Sequence, residues 1–126
     1  MKRIKTTLLI IVIATVSFSC KKNGTGGKAT IEGTVKHHIV PIPNTVVYIK
    51  YGATDFPGAN VSQYDAHTIA DANAKYKFEG LRQGDYYLYG VGYDNNISQQ
   101  VTGGLPVTIK YSDRKKTLET DVPVTE

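Results

Sequence analysis

Apolar and polar residues alternate along most of this chain, and the alternation predicts strands. Residues 30–36 place Ile31, Gly33 and Val35 on one face. Residues 45–51 place Val47, Ile49 and Tyr51 inward after the Pro41 and Pro43 interruptions, and 66–70 form a short strand. Residues 75–79 turn Tyr76 and Phe78 inward; residues 85–93, the longest run, turn Tyr86 and Leu88 inward with Gly90 beside them. Residues 98–102 are short, and 105–111 with 117–124 read as a closing hairpin. Between them lie turn signals: a long loop over 52–66, Asp71-Ala72-Asn73-Ala74 with Asn73 suited to positive φ, and Gly80-Leu81-Arg82-Gln83-Gly84. No stretch repeats apolar residues at helical spacing over three turns. Seven to eight short strands predict an all-β, Greek-key β-sandwich of immunoglobulin-like size.

The first residues follow another rule. Met1-Lys2-Arg3-Ile4-Lys5 is basic, and residues 8–18 are apolar and uncharged. Eleven residues fall short of the roughly 20 that span a bilayer, so the pattern predicts an export signal. Its exit, Ser17-Phe18-Ser19-Cys20, resembles a bacterial lipobox, with Ser17 and Phe18 departing from the usual Leu and small residue. The resemblance implies cleavage before Cys20 and lipid on its sulfur. Cys20 is the single cysteine of the 126 residues. That excludes a disulfide framework, and acylation would remove a free thiol from an oxidising compartment. Lys21 follows Cys20, which resembles sorting to the outer membrane. The expected organisation is a signal over 1–19, a lipidated Cys20 with a flexible Gly-rich tether over 20–28, and one β domain over 29–126.

Cleavage changes the charge. The whole chain carries +4, from 15 basic and 11 acidic residues. Loss of Lys2, Arg3 and Lys5 leaves twelve basic residues against eleven acids, a net of +1. A nucleic-acid partner is therefore not expected. From Cys20 onward, Val, Ile, Thr, Tyr and Phe number 39 against 19 for Leu, Met, Ala, Glu and Gln, which again favours strands.

Three runs, taken in order, resemble the carboxypeptidase regulatory-like domain, a transthyretin-like (prealbumin-like) sandwich. They are Ile31-Glu32-Gly33-Thr34-Val35 with Val40-Pro41 and Val47-Tyr48-Ile49; Thr68 through Phe78, with Ala74 standing where that family has Gly; and Gly80-Leu81-Arg82-Gln83-Gly84-Asp85-Tyr86-Tyr87-Leu88. The resemblance covers 29–124 and implies an accessory binding or structural module without catalytic residues. Gly84-Asp85-Tyr86 has the form of a tyrosine corner, whose hydroxyl returns to upstream backbone. Gly33 is expected to leave room for a large neighbour such as Tyr76 or Phe78.

Candidate chemistry is sparse. His37 and His38 read as solvated loop histidines, and no catalytic residue, metal site or cofactor is expected. Asp94-Asn95-Asn96, with Asp71, offers oxygens to Ca²⁺ but reads as a polar turn. Ser62, Asp65 and His67 lie close in sequence, yet nothing resembles a nucleophile elbow. The chain also lacks the Tyr-Arg-Gly-Ser tail of hydroxyisourate hydrolases. If Tyr86 and Leu88 face inward, Tyr87, Tyr89 and Tyr93 face outward, and Tyr48 does so on the neighbouring strand. These four form the candidate binding face, with a cover from the 52–66 loop as the alternative. The expected function is an exported, outer-membrane-anchored module that binds an envelope protein or glycan through this face or through the 52–66 and 94–97 loops. A purely structural or self-associating protein is the second class, and a hydrolase of the same fold, built on His67, the third.

Overall fold

The computed structural model describes residues 23–126, so the signal and Cys20 lie outside the described residues. Nine strands follow one another: β1 (Thr25–His37), β2 (Val40–Pro41), β3 (Val46–Tyr51), β4 (Ala66–Ile69), β5 (Lys75–Leu81), β6 (Gly84–Asp94), β7 (Gln99–Ile109), β8 (Thr117–Glu119) and β9 (Val122–Pro123). They form two facing sheets, an all-β sandwich. One sheet is the antiparallel order β4-β3-β6-β7. The other is built on β1, which pairs antiparallel with β2 and β5 and parallel with β8 and β9.

The alternation places the core as expected. Ile31, Val35, Val47, Ile49, Tyr86 and Leu88 are fully buried between the sheets, joined by Val101, Ile109 and Val122. Tyr86 completes the tyrosine corner: its hydroxyl donates to Arg82 O at 2.6 Å. It also accepts from Gly24 N at 2.9 Å, which ties the start of the described chain to the base of β6. The expected tether is correspondingly shorter, because residues 25–28 already belong to β1 and Asn23 Oδ1 accepts from Asp85 N.

Four expectations are corrected. The runs 98–102 and 105–111 are one strand, β7. The strand runs unbroken through Gly103 and Gly104, and Gly104 is small because a Cβ there would stand 2.0 Å from Leu88 O on β6. There is no closing hairpin either, since β8 crosses to the other sheet and runs parallel to β1. Gly33 explains that crossing. A Cβ at Gly33 would stand 1.9 Å from Thr120 O, so the glycine admits backbone rather than a large side chain. Thr120 N donates to Glu32 O, and the Tyr76 hydroxyl donates to Thr120 O. Finally, Ala74 rather than Asn73 takes the left-handed conformation in the β4–β5 turn, at φ 61°.

Register gives the sandwich two distinct ends. Leu81 on β5 pairs near the start of β1, and Ile109 pairs with Gly84. The start of β1, the β5–β6 turn and the β7–β8 loop therefore share one end. His37, Asp94, Gln99 and Val122 mark the other. β6, eleven residues long, runs from one end to the other and separates them by roughly 33 Å.

Candidate functional site

The expected tyrosine face is covered. Tyr87 and Tyr89 point away from the core as the alternation requires, but they are 9% and 6% exposed. The 52–66 loop leaves β3 and folds over them. Phe56 sits 5.9 Å from Tyr87 and 5.2 Å from Tyr89, ring to ring, and Tyr64 stacks on Tyr89 at 5.6 Å. Tyr48 is half-buried against Tyr64. The loop is held by the Tyr64 hydroxyl, which donates to Gly58 O at 2.9 Å. Desolvation, with Tyr89 and Tyr87 adding to it, pushes Tyr64 up to about 12. Tyr48, Tyr87 and Tyr89 on a bare sheet would expose a large apolar area, and the loop removes most of it from water. Of the candidate face only Tyr93 remains open, at 51%.

The residues of the third functional class do not converge. His67 is exposed beside Tyr48, Asp65 accepts from Tyr51 N, and the Ser62 hydroxyl donates to Asn60. Asp71 Oδ1 accepts from Asn73 N and Lys75 N, which closes its own turn. Among the described residues no group of three His, Cys, Asp or Glu side chains is placed to hold a metal.

The notable polar cluster lies at the end where β1 finishes. His37 is buried, which corrects its reading as a solvated loop residue; His38 is exposed in the turn with φ 57°. His37 Nδ1 stands 2.8 Å from Asp94 Oδ2. Its Nε2 stands 2.6 Å from Glu126 Oε2, a charge contact rather than an aligned hydrogen bond. Asp94 also accepts from Asn96 N at 2.9 Å, which shapes the β6–β7 turn. The Asp94 hydrogen bond raises the His37 pKa against its burial, and Glu126 adds to the rise. The His37 hydrogen bond in turn lowers Asp94, with Asn96 N next. Both ring nitrogens face carboxylates. The imidazole therefore clamps β1, β6 and the chain end together, with no nitrogen left to receive a proton from a nucleophile.

Around this clamp stand exposed apolar side chains: Ile39 at 89%, Tyr93 at 51% and Ile97 at 42%. Between the β2 and β6–β7 segments lies a small depression of about 150 Å³, lined by Val40, Pro41, Pro43, Tyr93, Asn95 and Asn96 among others. The clamp was legible in outline: continuing the inward period by one step takes Val35 to His37, and continuing from Gly90 through Gly92 reaches Asp94.

No family model and no curated protein matches the chain. Among solved structures, a "putative carbohydrate binding protein" from Pseudomonas aeruginosa, determined at 2.61 Å, is 14% identical to it, covering 79% of this chain and 91% of its own, with a TM-score of 0.49.

Proposed function

We propose that this protein is a lipoprotein of the outer membrane, acylated at Cys20, whose carboxypeptidase regulatory-like sandwich is a non-catalytic binding module. Its site is the end of the sandwich bearing Ile39, Tyr93 and the 95–97 turn. The observation that carries this reading is the path of β1, which starts at Thr25, directly after Asn23 and Gly24 are pinned to the base of β6, and finishes at His37. Cys20 is only three residues from Asn23, a reach of about 10 Å. A lipid on Cys20 holds one end at the bilayer and presents the other roughly 33 Å away. The presented end combines unpartnered apolar side chains with backbone held rigid by the His37 clamp, features suited to an envelope protein as partner more than to a glycan.

Two measurements test the reading. Mass spectrometry of the native N-terminus is expected to show acyl chains on Cys20, and Cys20→Ser is expected to leave the membrane fraction. A photo-crosslinker at position 39 is expected to capture a defined envelope partner that the same group at position 77, on the flank of β5, does not. Equal capture from both positions, or capture at 39 unchanged by Tyr93→Ser, would remove the tip from the proposal.

A further inference from the structure

We propose that the β7–β8 loop, residues 110–116, is a contact surface for the anionic phosphate headgroups of the bilayer that carries the chain. The inference rests on Cys20 as the point of attachment. The net charge of +1 conceals a polar distribution. Of the twelve basic residues from Cys20 onward, Lys28, Arg82, Lys110, Arg114, Lys115 and Lys116 stand at the end where β1 begins, and Lys21 and Lys22 adjoin Cys20 in sequence. The register secures this placement: Lys116 O accepts from Thr30 N, Arg82 N donates to Gly24 O, and Lys28 precedes Ala29, the partner of Leu81. The acids nearest that end are Asp85, Asp113, Glu79 and Asp65, the last accepting from Tyr51 N and 3.8 Å from Lys50. Asp85 accepts from the Thr108 hydroxyl, Asp113 pairs with Lys116 at 3.5 Å, and Glu79 pairs with Lys77 at 3.5 Å. The opposite end holds Asp71, Asp94, Asp121 and Glu126 against Lys36, Lys75 and His37.

The loop itself has an interfacial character. It carries four basic residues and one acid. Tyr111 is 66% exposed, and the Arg114 guanidinium lies 3.9 Å over its ring while donating to Tyr111 O at 3.0 Å. Lys110 and Lys115 are exposed, and no ion pair engages either one among the described residues. An exposed Tyr among cations is placed as aromatic residues are at membrane–water interfaces, with the ring at headgroup level and the charges on phosphate. Each basic residue near an anionic surface strengthens contact by about fivefold. The surface would orient the sandwich so that its acidic end faces away from the bilayer.

The test uses the chain from Cys20 onward, which contains every described element. Cys20, the single cysteine, is coupled to a maleimide lipid in vesicles, so attachment does not depend on cellular acylation. The chain has no Trp, and Tyr111→Trp makes a lone reporter. The expected result is a blue shift and bromolipid quenching of that Trp in phosphatidylcholine vesicles containing phosphatidylglycerol. High salt should abolish both signals, and each of Lys110→Gln and Lys115→Gln should weaken the contact by about fivefold. Lys36→Gln at the far end should leave them unchanged. Equal emission on zwitterionic and anionic vesicles, or full quenching after all three lysines of the loop are changed to Gln, overturns the inference. Failure of Cys20 acylation in the native protein would show separately, in the mass spectrum.

Discussion

Removing one oxygen from Tyr86 should loosen the base of the sandwich. The residue is fully buried, and its hydroxyl both donates to Arg82 O and accepts from Gly24 N. Tyr86→Phe keeps the ring, its packing and its edge-on contact with Tyr51 at 5.8 Å, so the loss is confined to polar pairing. Gly24 is buried, and its N–H would lose its partner at a cost of about 1–3 kcal/mol; Arg82 O, nearer water, adds less. The expected destabilisation is about 2 kcal/mol. For a domain of this size that lowers the thermal midpoint by roughly 8–10 °C and the urea midpoint by about 1 M. Urea unfolding followed by circular dichroism measures the change, with the slope expected to stay constant. Hydrogen exchange adds a local readout: the amides of Gly24 and Arg82 should exchange well before the core of β6, because the Arg82 N to Gly24 O bond opens with the clasp. Tyr51→Phe is the control, since no hydrogen bond engages its hydroxyl among the described residues, and it should stay within about 0.5 kcal/mol. If Tyr86→Phe also stays within that margin, or if its exchange rises uniformly, the corner does not hold the chain start and the reasoning is wrong.

Other consequences follow from the same contacts. Gly33→Ala drives a methyl into Thr120 O and should cost about 3 kcal/mol or more, read as a lower urea midpoint, because backbone rather than a side-chain tip must move. The His37 pKa is raised on folding, so its contribution is complete below about pH 6.5 and fades as pH climbs through the folded value. The urea midpoint should therefore fall as pH rises above about 6.5, and His37→Gln should flatten that fall; an unchanged slope would remove the clamp. Tyr64→Ala removes the ring stacked on Tyr89 and should cost about 2 kcal/mol. It should also open the 52–66 loop to limited proteolysis, while equal cleavage of both proteins would show that the ring does not hold the loop.

The period-two alternation carries its information locally, which is why so much of the sandwich was readable from it. Each strand's inward face depends on its own residues, so Ile31, Val47, Ile49, Tyr86 and Leu88 could be placed in the core and the tyrosine corner recognised without knowing any neighbour. The same alternation turned Tyr87 and Tyr89 outward correctly. What lay over them, the 52–66 loop with Phe56 and Tyr64, was one of two readings of that face, and only the packed rings decided for it, because those residues lie more than twenty positions away. Partner choice among strands was equally hidden. The β8 segment joined β1 rather than β7 because Gly33 lets the Thr120 backbone approach, a steric fact visible only once the sheets are stacked. The inward period reaches His37 and Asp94, which read as turn residues, but that they meet at 2.8 Å depends on how the two sheets stack. Composition from the sequence determined how much charge the chain carries from Cys20 onward, but only the antiparallel and parallel registers decided that Lys28, Arg82 and the basic residues of the β7–β8 loop share one end while Asp71, Asp94, Asp121 and Glu126 outnumber Lys36 and Lys75 at the other.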